Sequence, residues 1–592
     1  MIRYRAFAPC WGSSKKNLKT LNLKPINPQN MKQLTLLWFL LGLAISLLGQ
    51  NPSPTCYRVY LSDKNNTPYS ISNPSAYLSQ RAIDKRTRFN IPITEQDLPI
   101  NPEYKHQILA LHPQIQSLAV SKWMNTFTVY CPDSTIVPQI LDLPFVDSIL
   151  AVAAYQLHEM PIVQAIPDNQ TPIVHNITTP SKDSLDYGYG FHQIALHNGH
   201  LLHAEGYHGE GMLIAVLDGG FRGVESYPFF QELVNSGRYL GKYVLLPNLV
   251  DTLSYGGIEV GHGSDVTAAM ASNSPGEVIG TAPDASYVFI VSEFGGTEQL
   301  IEEDFWANGA EIADSVGADI LNSSLGYYNF RDFPQANFTY AELDGQHSIA
   351  SRCATILGEK GVVVCVSAGN WGGPPWYYVG HPADAFDIIS VGATSDSLHV
   401  GFSSIGPTSD GRVKPDVVAE GWDVYLYGPA PPDYPYDYCI YSTGGTSLSC
   451  PIIAGLSACL WQALPKYTSS EIMQIIRESS HLYNNPNPDY GYGIPDFYKA
   501  YTSHICSDKP TPQQISIYPN PVTDKLNIVN PDGNIQTVTL YNASGQLVLQ
   551  TAVPHSPILE INVANLSNGF YIGTATLNNN QTATFKFIKR IP

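Results

Sequence analysis

The stretch Tyr441-Ser442-Thr443-Gly444-Gly445-Thr446-Ser447-Leu448-Ser449-Cys450-Pro451 places a serine where a glycine-rich turn gives way to an apolar segment of small residues. That segment predicts a buried helix with the Ser447 hydroxyl at its N-terminus. Unpaired backbone N–H groups and the helix dipole favour negative charge there, and a tetrahedral oxyanion is such a charge. Pro451 cannot donate a hydrogen bond to the carbonyl of Ser447, four residues back. An ordinary turn with a serine N-cap shows the same pattern, so other parts of the chain must decide its meaning.

The composition describes a large, acidic, loop-rich protein. At 592 residues the chain predicts at least three units. The net charge is −19 and no Lys/Arg-rich patch stands out, so we expect no nucleic-acid partner. Charged residues make up only 14% of the chain, while Tyr (36) and Pro (45) are abundant, which favours a secreted protein over a cytosolic one.

The N-terminal region predicts export. Met31-Lys32-Gln33 is a short basic start, and an apolar run from Leu34 to Leu48 follows it. We therefore interpret residues 1–50 as an N-terminal extension and signal peptide whose true start is Met31. A transmembrane anchor is the alternative, but the run is short for a span and no basic flank follows it. We expect no transmembrane segment in the mature chain.

Residues 51–186 predict a small α+β unit followed by a linker. Lys122–Tyr130 alternates like a strand, Val137–Leu141 suits a short helix, and Val146–Val152 suits a second strand. The stretch Thr178-Thr179-Pro180-Ser181 has the composition of a linker.

Residues 187–503 predict a doubly wound α/β domain. Four near-continuous apolar runs are typical of strands buried on both faces of a parallel sheet: Met212–Leu217, Ala318–Leu321, Gly361–Val366 and Ile388–Val391. Helical stretches such as Asp265–Ala271 and Ser348–Glu359 fall between the runs. Since active sites in such sheets lie at the carboxyl ends of the strands, polar residues that end these runs become candidates.

The C-terminal region has a different pattern. Residues 504–514 form a second linker, which contains Ser507-Asp508-Lys509-Pro510-Thr511-Pro512. Residues 515–592 alternate apolar and polar residues in short runs between Asn/Gly turns, as in Leu526–Val529, Thr537–Leu540 and Tyr571–Leu577. This alternation predicts a small all-β sandwich.

Three further motifs supply the partners that Ser447 would need. Asp218 ends a buried strand, where a carboxylate is costly without a partner. His262 lies between two glycines at the start of an Ala-rich helix, and Asn370 follows another buried strand. Each alone suits a turn or surface residue. Together they offer a nucleophile, a base, a carboxylate that orients the base, and an oxyanion donor, in the chain order of subtilisin.

Residues 187–503 therefore resemble the subtilisin-like serine proteases. The resemblance also includes several shorter motifs: His208-Gly209-Glu210-Gly211, Gly280-Thr281-Ala282-Pro283, Phe402-Ser403-Ser404, Gly406-Pro407, Lys414-Pro415-Asp416 and Gly491-Tyr492-Gly493. It implies that Ser447 attacks the scissile carbonyl, that His262 moves its proton, and that Asp218 holds the imidazole. It also implies that the Asn370 amide holds the oxyanion.

The resemblance also implies a substrate pocket. Its walls would be formed by Ser323, Ser324, Leu325 and Gly326 and by Ser367, Ala368 and Gly369. The chain departs from the family pattern at Gly219, at Ser264 and at Leu448-Ser449-Cys450. None of these departures removes a catalytic group, so they bear on the shape of the pocket.

The two flanking units have resemblances of their own. The first unit, residues 51–186, is similar to a subtilase propeptide through its run Trp123–Val152; such a propeptide is an inhibitory chaperone removed by self-cleavage. An ordinary accessory domain is the alternative. The C-terminal unit carries Tyr518-Pro519-Asn520-Pro521, Leu566-Ser567-Asn568-Gly569 and a terminal Lys586–Arg590. These motifs resemble the sorting domain of the type IX secretion system of Bacteroidota, which implies a secreted or cell-surface protein. A carbohydrate-binding sandwich is the alternative.

We therefore predict a secreted serine endopeptidase that acts on protein or peptide substrates. The proposed chemistry needs no cofactor, we assign no metal ligands, and no loop has a spacing diagnostic of structural calcium. Cys353 with Cys365 and Cys439 with Cys450 are possible disulfides. A peptide ligase or cyclase on the same scaffold stays open, because ligation and hydrolysis share the acyl-enzyme. An inactive surface adhesin is the third alternative, which the intact set of catalytic residues argues against.

Overall fold

A computed structural model describes residues 53–154, 185–246, 261–293, 297–429, 438–505, 516–529, 535–552, 558–577 and 582–590. The predicted signal peptide and the two linker motifs, at 178–181 and 507–512, lie outside these residues.

Within residues 53–154, the N-terminal unit is a four-stranded antiparallel sheet with three α-helices. Its strands are β1 (Cys56–Leu61), β2 (Gln116–Ser121), β3 (Thr126–Tyr130) and β4 (Val146–Ala153), in the order β2-β3-β1-β4. Its helices are α1 (Gln80–Arg88), α2 (Pro102–Ala110) and α3 (Val137–Leu141). The predicted strand–helix–strand order of β3, α3 and β4 is confirmed.

The predicted strand Lys122–Tyr130 is shorter than its alternating pattern suggests. Residues 122–125 form the turn between β2 and β3, and only Thr126–Tyr130 is a strand. Asn125 adopts a left-handed φ of 52°, and its side-chain amide donates to the carbonyl of Leu61 at 2.8 Å. Asparagine tolerates this conformation in turns, so the apolar alternation of the sequence continues through a reversal of the chain.

The central unit is built on an eight-stranded sheet, parallel except for β13. Six of its strands are β5 (Leu213–Asp218), β6 (Tyr239–Val244), β9 (Ser286–Val291), β10 (Ile320–Ser323), β11 (Val363–Ser367) and β12 (Ile389–Ser395). Residues Leu398–His399 form β13, and Val417–Glu420 form β14. The order is β13-β12-β11-β10-β5-β9-β6, and β14 pairs with β12. The predicted doubly wound parallel sheet is therefore confirmed.

Two ribbons and nine helices complete this unit in the described residues. The ribbons are β7 (Asn273–Ser274) with β8 (Val278–Ile279), and β15 (Val424–Pro429) with β16 (Tyr438–Thr443). The helices are α4 (Phe191–Ala195), α5 (Gly199–Ala204), α6 (Gln231–Asn235), α7 (His262–Ala271), α8 (Glu302–Val316), α9 (Ile349–Glu359), α10 (Thr446–Ala463), α11 (Ser469–Ser479) and α12 (Phe497–Ile505). Within the part of the chain that the structure describes, no helix combines the length and apolar character that a membrane span requires.

The N-terminal unit covers α8 through buried ionic contacts. Arg58 makes two hydrogen bonds to Asp304, at 2.7 and 2.8 Å, and both side chains are almost fully buried. Further along the helix, Arg86 pairs with Asp314 at 2.8 Å, and Glu311 accepts the backbone N–H groups of residues 122 and 123. Breaking a buried pair leaves an uncompensated charge, so this face of α8 depends on the N-terminal unit.

The last residues of β4 meet the segment that precedes α8. The N–H of Ile301 donates to the carbonyl of Val152 at 3.1 Å, and the N–H of Ala154 donates to the side-chain oxygen of Gln299 at 2.7 Å. The chain therefore leaves the N-terminal unit beside the entry to α8.

The C-terminal unit is all-β, as predicted. Its strands are β17 (Ser516–Tyr518), β18 (Lys525–Val529), β19 (Ile535–Asn542), β20 (Leu547–Ala552), β21 (Ile558–Asn562), β22 (Gly569–Leu577) and β23 (Thr582–Lys589). They form two antiparallel sheets, β17-β18-β21 and β20-β19-β22-β23. Leu526 from one sheet and Val538 and Phe587 from the other share one hydrophobic cluster, which is separate from the cluster of the central unit.

The two possible disulfides are absent from the described residues. Cys353, Cys365 and Cys450 are fully buried free thiols of the central hydrophobic cluster, and Cys439 is a half-buried free thiol. Burial raises the pKa of Cys365 to about 12. The three buried cysteines pack as small apolar side chains in that cluster.

Candidate active site

Helix α10 begins at Thr446, one residue before Ser447. Pro451 lies inside the helix and leaves the carbonyl of Ser447 without a helical donor, as the sequence indicated. The hydroxyl of Ser324 donates to that carbonyl at 2.8 Å, and the hydroxyl of Ser447 donates to the carbonyl of Ser324 at 3.4 Å. Two hydrogen bonds in opposite directions therefore join the start of α10 to the segment after β10.

Asn370 lies beside the same helix start, and its orientation is defined. Its Oδ1 accepts the backbone N–H of Thr446 at 2.9 Å and the hydroxyl of Thr446 at 3.0 Å. Since a backbone N–H only donates, the oxygen of the amide must face Thr446. The NH₂ group of Asn370 is then the donor available to the cavity that Asn370 lines.

Asp218 and His262 form a hydrogen-bonded pair. Asp218 is the last residue of β5 and is completely buried. Its Oδ1 accepts the N–H of Gly219 at 2.7 Å and the Nδ1–H of His262 at 2.8 Å. His262 is the first residue of α7, and the next position must be glycine, because an added Cβ on Gly263 would lie 2.5 Å from the carbonyl oxygen of Gly220.

The charge of Asp218 sets the protonation of His262. Burial alone lowers the pKa of His262, but the negative charge of Asp218 and the hydrogen bond to it outweigh burial and raise the pKa from 6.5 to about 9. About one third of the imidazole side chain remains exposed to solvent. The carboxylate therefore fixes the ring through Nδ1 and favours its charged form.

One cavity of about 480 Å³ brings the predicted catalytic residues together. Asp218, His262, Asn370 and Ser447 all line it. Among the described residues no hydrogen bond joins Ser447 to His262, since the Ser447 hydroxyl is directed to Ser324. A change of the serine side-chain torsion would be needed for a direct contact.

Five of the seven predicted pocket residues line the cavity: Ser324, Leu325, Gly326, Ser367 and Gly369. The other two, Ser323 and Ala368, face the core. The Ser323 hydroxyl accepts the indole N–H of Trp306 at 2.9 Å, and Ala368 is fully buried. Strand geometry explains this, because neighbouring side chains point to opposite faces.

The cavity is also lined by residues that were not predicted as site residues: Gly219, Glu293, Glu298, Tyr328, Asn329, Arg331, Trp371 and Thr446. Glu293 comes two residues after the end of β9, an apolar strand next to β5. Since active sites in parallel sheets lie at the carboxyl ends of the strands, the position of Glu293 after β9 could have been used to predict it. The pairing of Ser324 with Ser447 has no comparable signal in the sequence.

Family models match three parts of the chain. The model described as "Subtilase family" matches residues 209–493, and "Peptidase S8 propeptide domain, Bacteroidota" matches residues 56–167. The model described as "Secretion system C-terminal sorting domain" matches residues 516–590. These matches confirm the three predicted resemblances.

Curated relatives are similar over the central part of the chain. Subtilisin NAT of Bacillus subtilis subsp. natto is 29% identical over 311 residues, which cover 52% of this chain and 69% of that protein. Serine protease AprX of Bacillus subtilis is 26% identical over 317 residues, covering 48% and 65%. Subtilisin-like protease SBT6.1 of Arabidopsis thaliana is 27% identical over 313 residues, covering 50% and 26%. The chain thus spans about a quarter of one of these relatives and about two thirds of the others.

Among solved structures, the protease domain of PatA aligns with a TM-score of 0.40 at 20% identity, covering 50% of this chain and 97% of that one.

We expect the His262 imidazole to lose its proton near pH 9, and at a lower pH in an Asp218→Asn variant, because the charge that raises the pKa is gone. Since the pKa is raised on folding, the stabilisation from this pair is complete below the ordinary value of 6.5 and is lost as the pH rises through about 9. NMR titration of the imidazole Cε1–H measures both midpoints. Equal midpoints in the two proteins would contradict the role of Asp218.

Ser324→Ala should lower the free energy of unfolding by about 1–3 kcal/mol, because the Ser447 carbonyl loses its donor. Denaturant unfolding measures the difference. Ser367→Ala is the matched control, since Ser367 lines the same cavity and its hydroxyl has no hydrogen bond to another described residue. Equal losses in the two variants would show that the bond to Ser447 is not stabilising.

Proposed function

Residues 209–493 of this chain are a domain of the subtilase family, and from that premise we propose that the protein is an exported serine endopeptidase. The observation that carries the proposal is the 2.8 Å hydrogen bond between Asp218 and His262 in the cavity that Ser447 also lines. A buried carboxylate, an imidazole and a serine at a helix start are the parts that acyl transfer requires.

In the proposed reaction, Ser447 turns its hydroxyl from Ser324 towards Nε2 of His262. The serine oxygen attacks the scissile carbonyl carbon while Nε2 of the unprotonated imidazole takes the serine proton. When the tetrahedral intermediate collapses, the C–N bond breaks and the amine leaves with that proton, so an acyl-enzyme remains. Water then attacks the ester through the same base and releases the acid. Asp218 keeps Nδ1 protonated and stabilises the imidazolium throughout.

The oxyanion would be held by two donors at the start of α10. The NH₂ group of Asn370 is one, since its oxygen is bound to Thr446. The backbone N–H of Ser447 is the other. The neighbouring N–H groups are engaged, because Thr446 donates to Asn370 and Leu448 donates to the carbonyl of Gly445 at 3.0 Å. The helix dipole adds to both. All these groups belong to the chain, so the proposed chemistry needs no cofactor.

We further propose that residues 51–186 are an inhibitory propeptide that the enzyme removes itself. The match of residues 56–167 to a propeptide family supports this, as do the buried ionic contacts on α8. The chain leaves β4 beside Gln299 and Ile301, whose neighbour Glu298 lines the cavity. We place the cleavage within residues 157–186, nearly all of which lie outside the described residues.

The match of residues 516–590 to a sorting domain supports export to the cell surface or the medium through the type IX machinery. The central unit and the C-terminal unit have separate hydrophobic clusters. This separation favours a sorting domain that folds independently of the peptidase domain.

Ser447→Ala should reduce peptide hydrolysis by about a million-fold, and Asn370→Ala by about 100- to 1000-fold in kcat with little change in KM. A serine-reactive phosphonate should label the wild-type protein on Ser447, as read by mass spectrometry. Ser449→Ala, whose hydroxyl bonds to Ala419 instead, is the control and should remain active. Full activity in Ser447→Ala would end the proposal.

Analysis of the products formed from one peptide library separates hydrolysis from ligation.

The full chain carrying Ser447→Ala, purified alone, should keep its N-terminal unit covalently attached, because no nucleophile remains to cut the linker. Gel mobility and N-terminal sequencing measure the processing, and the Ser449→Ala chain should mature normally. Normal maturation of Ser447→Ala with no other protease present would show that another enzyme removes the unit.

A chain that ends at His504 should hydrolyse peptides nearly as fast as the full chain once purified, because no described residue of the C-terminal unit lines the cavity. In the native host the shortened enzyme should accumulate in the periplasm. Fractionation followed by an activity assay locates it. Detection of the shortened enzyme in the medium would show that residues 516–590 are not the sorting signal.

A further inference from the structure

Three glutamates form a cluster at one wall of the cavity. Glu293 follows β9, Glu298 precedes α8, and Glu302 is the first residue of α8. One carboxylate oxygen from each lies within 4.8 Å of the other two. Glu293 and Glu298 line the cavity that also holds Ser447, so the cluster borders the proposed substrate site.

Glu302 is the member that needs an explanation. Its side chain is completely buried, and neither carboxylate oxygen has a hydrogen-bond partner among the described residues. A buried carboxylate without a partner is costly, and two further carboxylates beside it increase that cost.

No cation among the described residues hydrogen-bonds to the oxygens of Glu302, and the helix dipole is shared with other carboxylates. Arg331 also lines the cavity and binds Asp332 at 3.0 Å, but it does not reach the oxygens of Glu302. The N-terminus of α8 favours negative charge, but Glu303 and Asp304 also lie in its first turn. Either a proton on Glu302 or a cation from outside the chain would remove the cost.

The ligand atoms favour one class of cation. Calcium binds oxygen ligands at about 2.3–2.6 Å, so two oxygens up to about 4.8 Å apart share a point at bonding distance from both. Magnesium needs about 2.0–2.1 Å and a near-ideal octahedron, and zinc prefers nitrogen or sulfur ligands, which this cluster lacks. We propose that Glu293, Glu298 and Glu302 bind a calcium-class divalent cation at the wall of the cavity.

Such an ion would tie the end of β9 to the start of α8. The short segment between them includes Gln299 and Ile301, which hold the last residues of β4. The ion would therefore stabilise both the wall of the substrate site and the place where the N-terminal unit leaves it. Binding of the ion does not depend on catalysis, so its test is independent of the proposed function.

The test uses the full chain with Ser447→Ala, which prevents cleavage during the measurement. Terbium luminescence, sensitised by Tyr328 and Trp371 of the same cavity, reports binding, and calcium displaces the terbium. We expect Glu302→Gln, which keeps the size of the side chain, to weaken calcium binding by at least about tenfold. It should also abolish the calcium-dependent rise in Tm. Asp396→Asn is the control, because it disables the second acidic group, His192 with Asp396 and Glu420.

Loss of binding in Glu302→Gln with normal binding in Asp396→Asn supports the site. If Glu302→Gln does not fold, as judged by circular dichroism, the half-buried Glu298→Gln replaces it with the same expected result. Unchanged affinity in the folded glutamate variants, or loss of binding only in Asp396→Asn, would overturn the proposal. Failure of the Ser447→Ala chain to bind calcium at millimolar concentration would overturn it too. A preference for peptides with Lys or Arg in the active enzyme would then identify a substrate side chain as the cation.

Discussion

The carboxylate of Asp218 is completely buried at the end of β5, and a buried charge must find partners or be neutralised. It finds two, the N–H of Gly219 and the imidazole of His262. The second partner is available only because Gly263 lets α7 approach the backbone after β5 more closely than a side chain would allow. The position, the tautomer and the charge of the imidazole all follow from this one pairing.

The sheet order explains why the other groups lie nearby. The strands β11, β10, β5 and β9 are neighbours and, being parallel, they end at the same edge. Asn370, Ser324, Asp218 and Glu293 each lie at or shortly after the end of one of these strands. Helix α10 then brings Ser447 to this edge, and the carbonyl that Pro451 leaves open is fixed by Ser324. Strand ends thus supply the polar groups, and one irregular helix supplies the nucleophile.

Much of this arrangement could be predicted from the sequence, because buried parallel strands and glycine-flanked polar residues leave local signals. The helix after Ser447 and the open carbonyl four residues before Pro451 are of this kind. The pairing of Ser324 with Ser447 leaves no local signal, because it joins segments 123 residues apart. The turn before Thr126 was hidden by an alternation that continues through Asn125. The state of the cysteines depends on three-dimensional neighbours, which spacing does not reveal.

The central claim is that Asn370 and the start of α10 hold the oxyanion formed when Ser447 attacks. The most direct measurement is a crystal structure of the phosphonate adduct, in which the phosphonyl oxygen stands in for the oxyanion. We expect that oxygen to accept hydrogen bonds from Nδ2 of Asn370 and from the backbone N–H of Ser447, at about 2.7–3.1 Å. Nε2 of His262 should lie within hydrogen-bond reach of the serine oxygen. A phosphonyl oxygen turned to solvent, with Asn370 bound only to Thr446, would contradict the account.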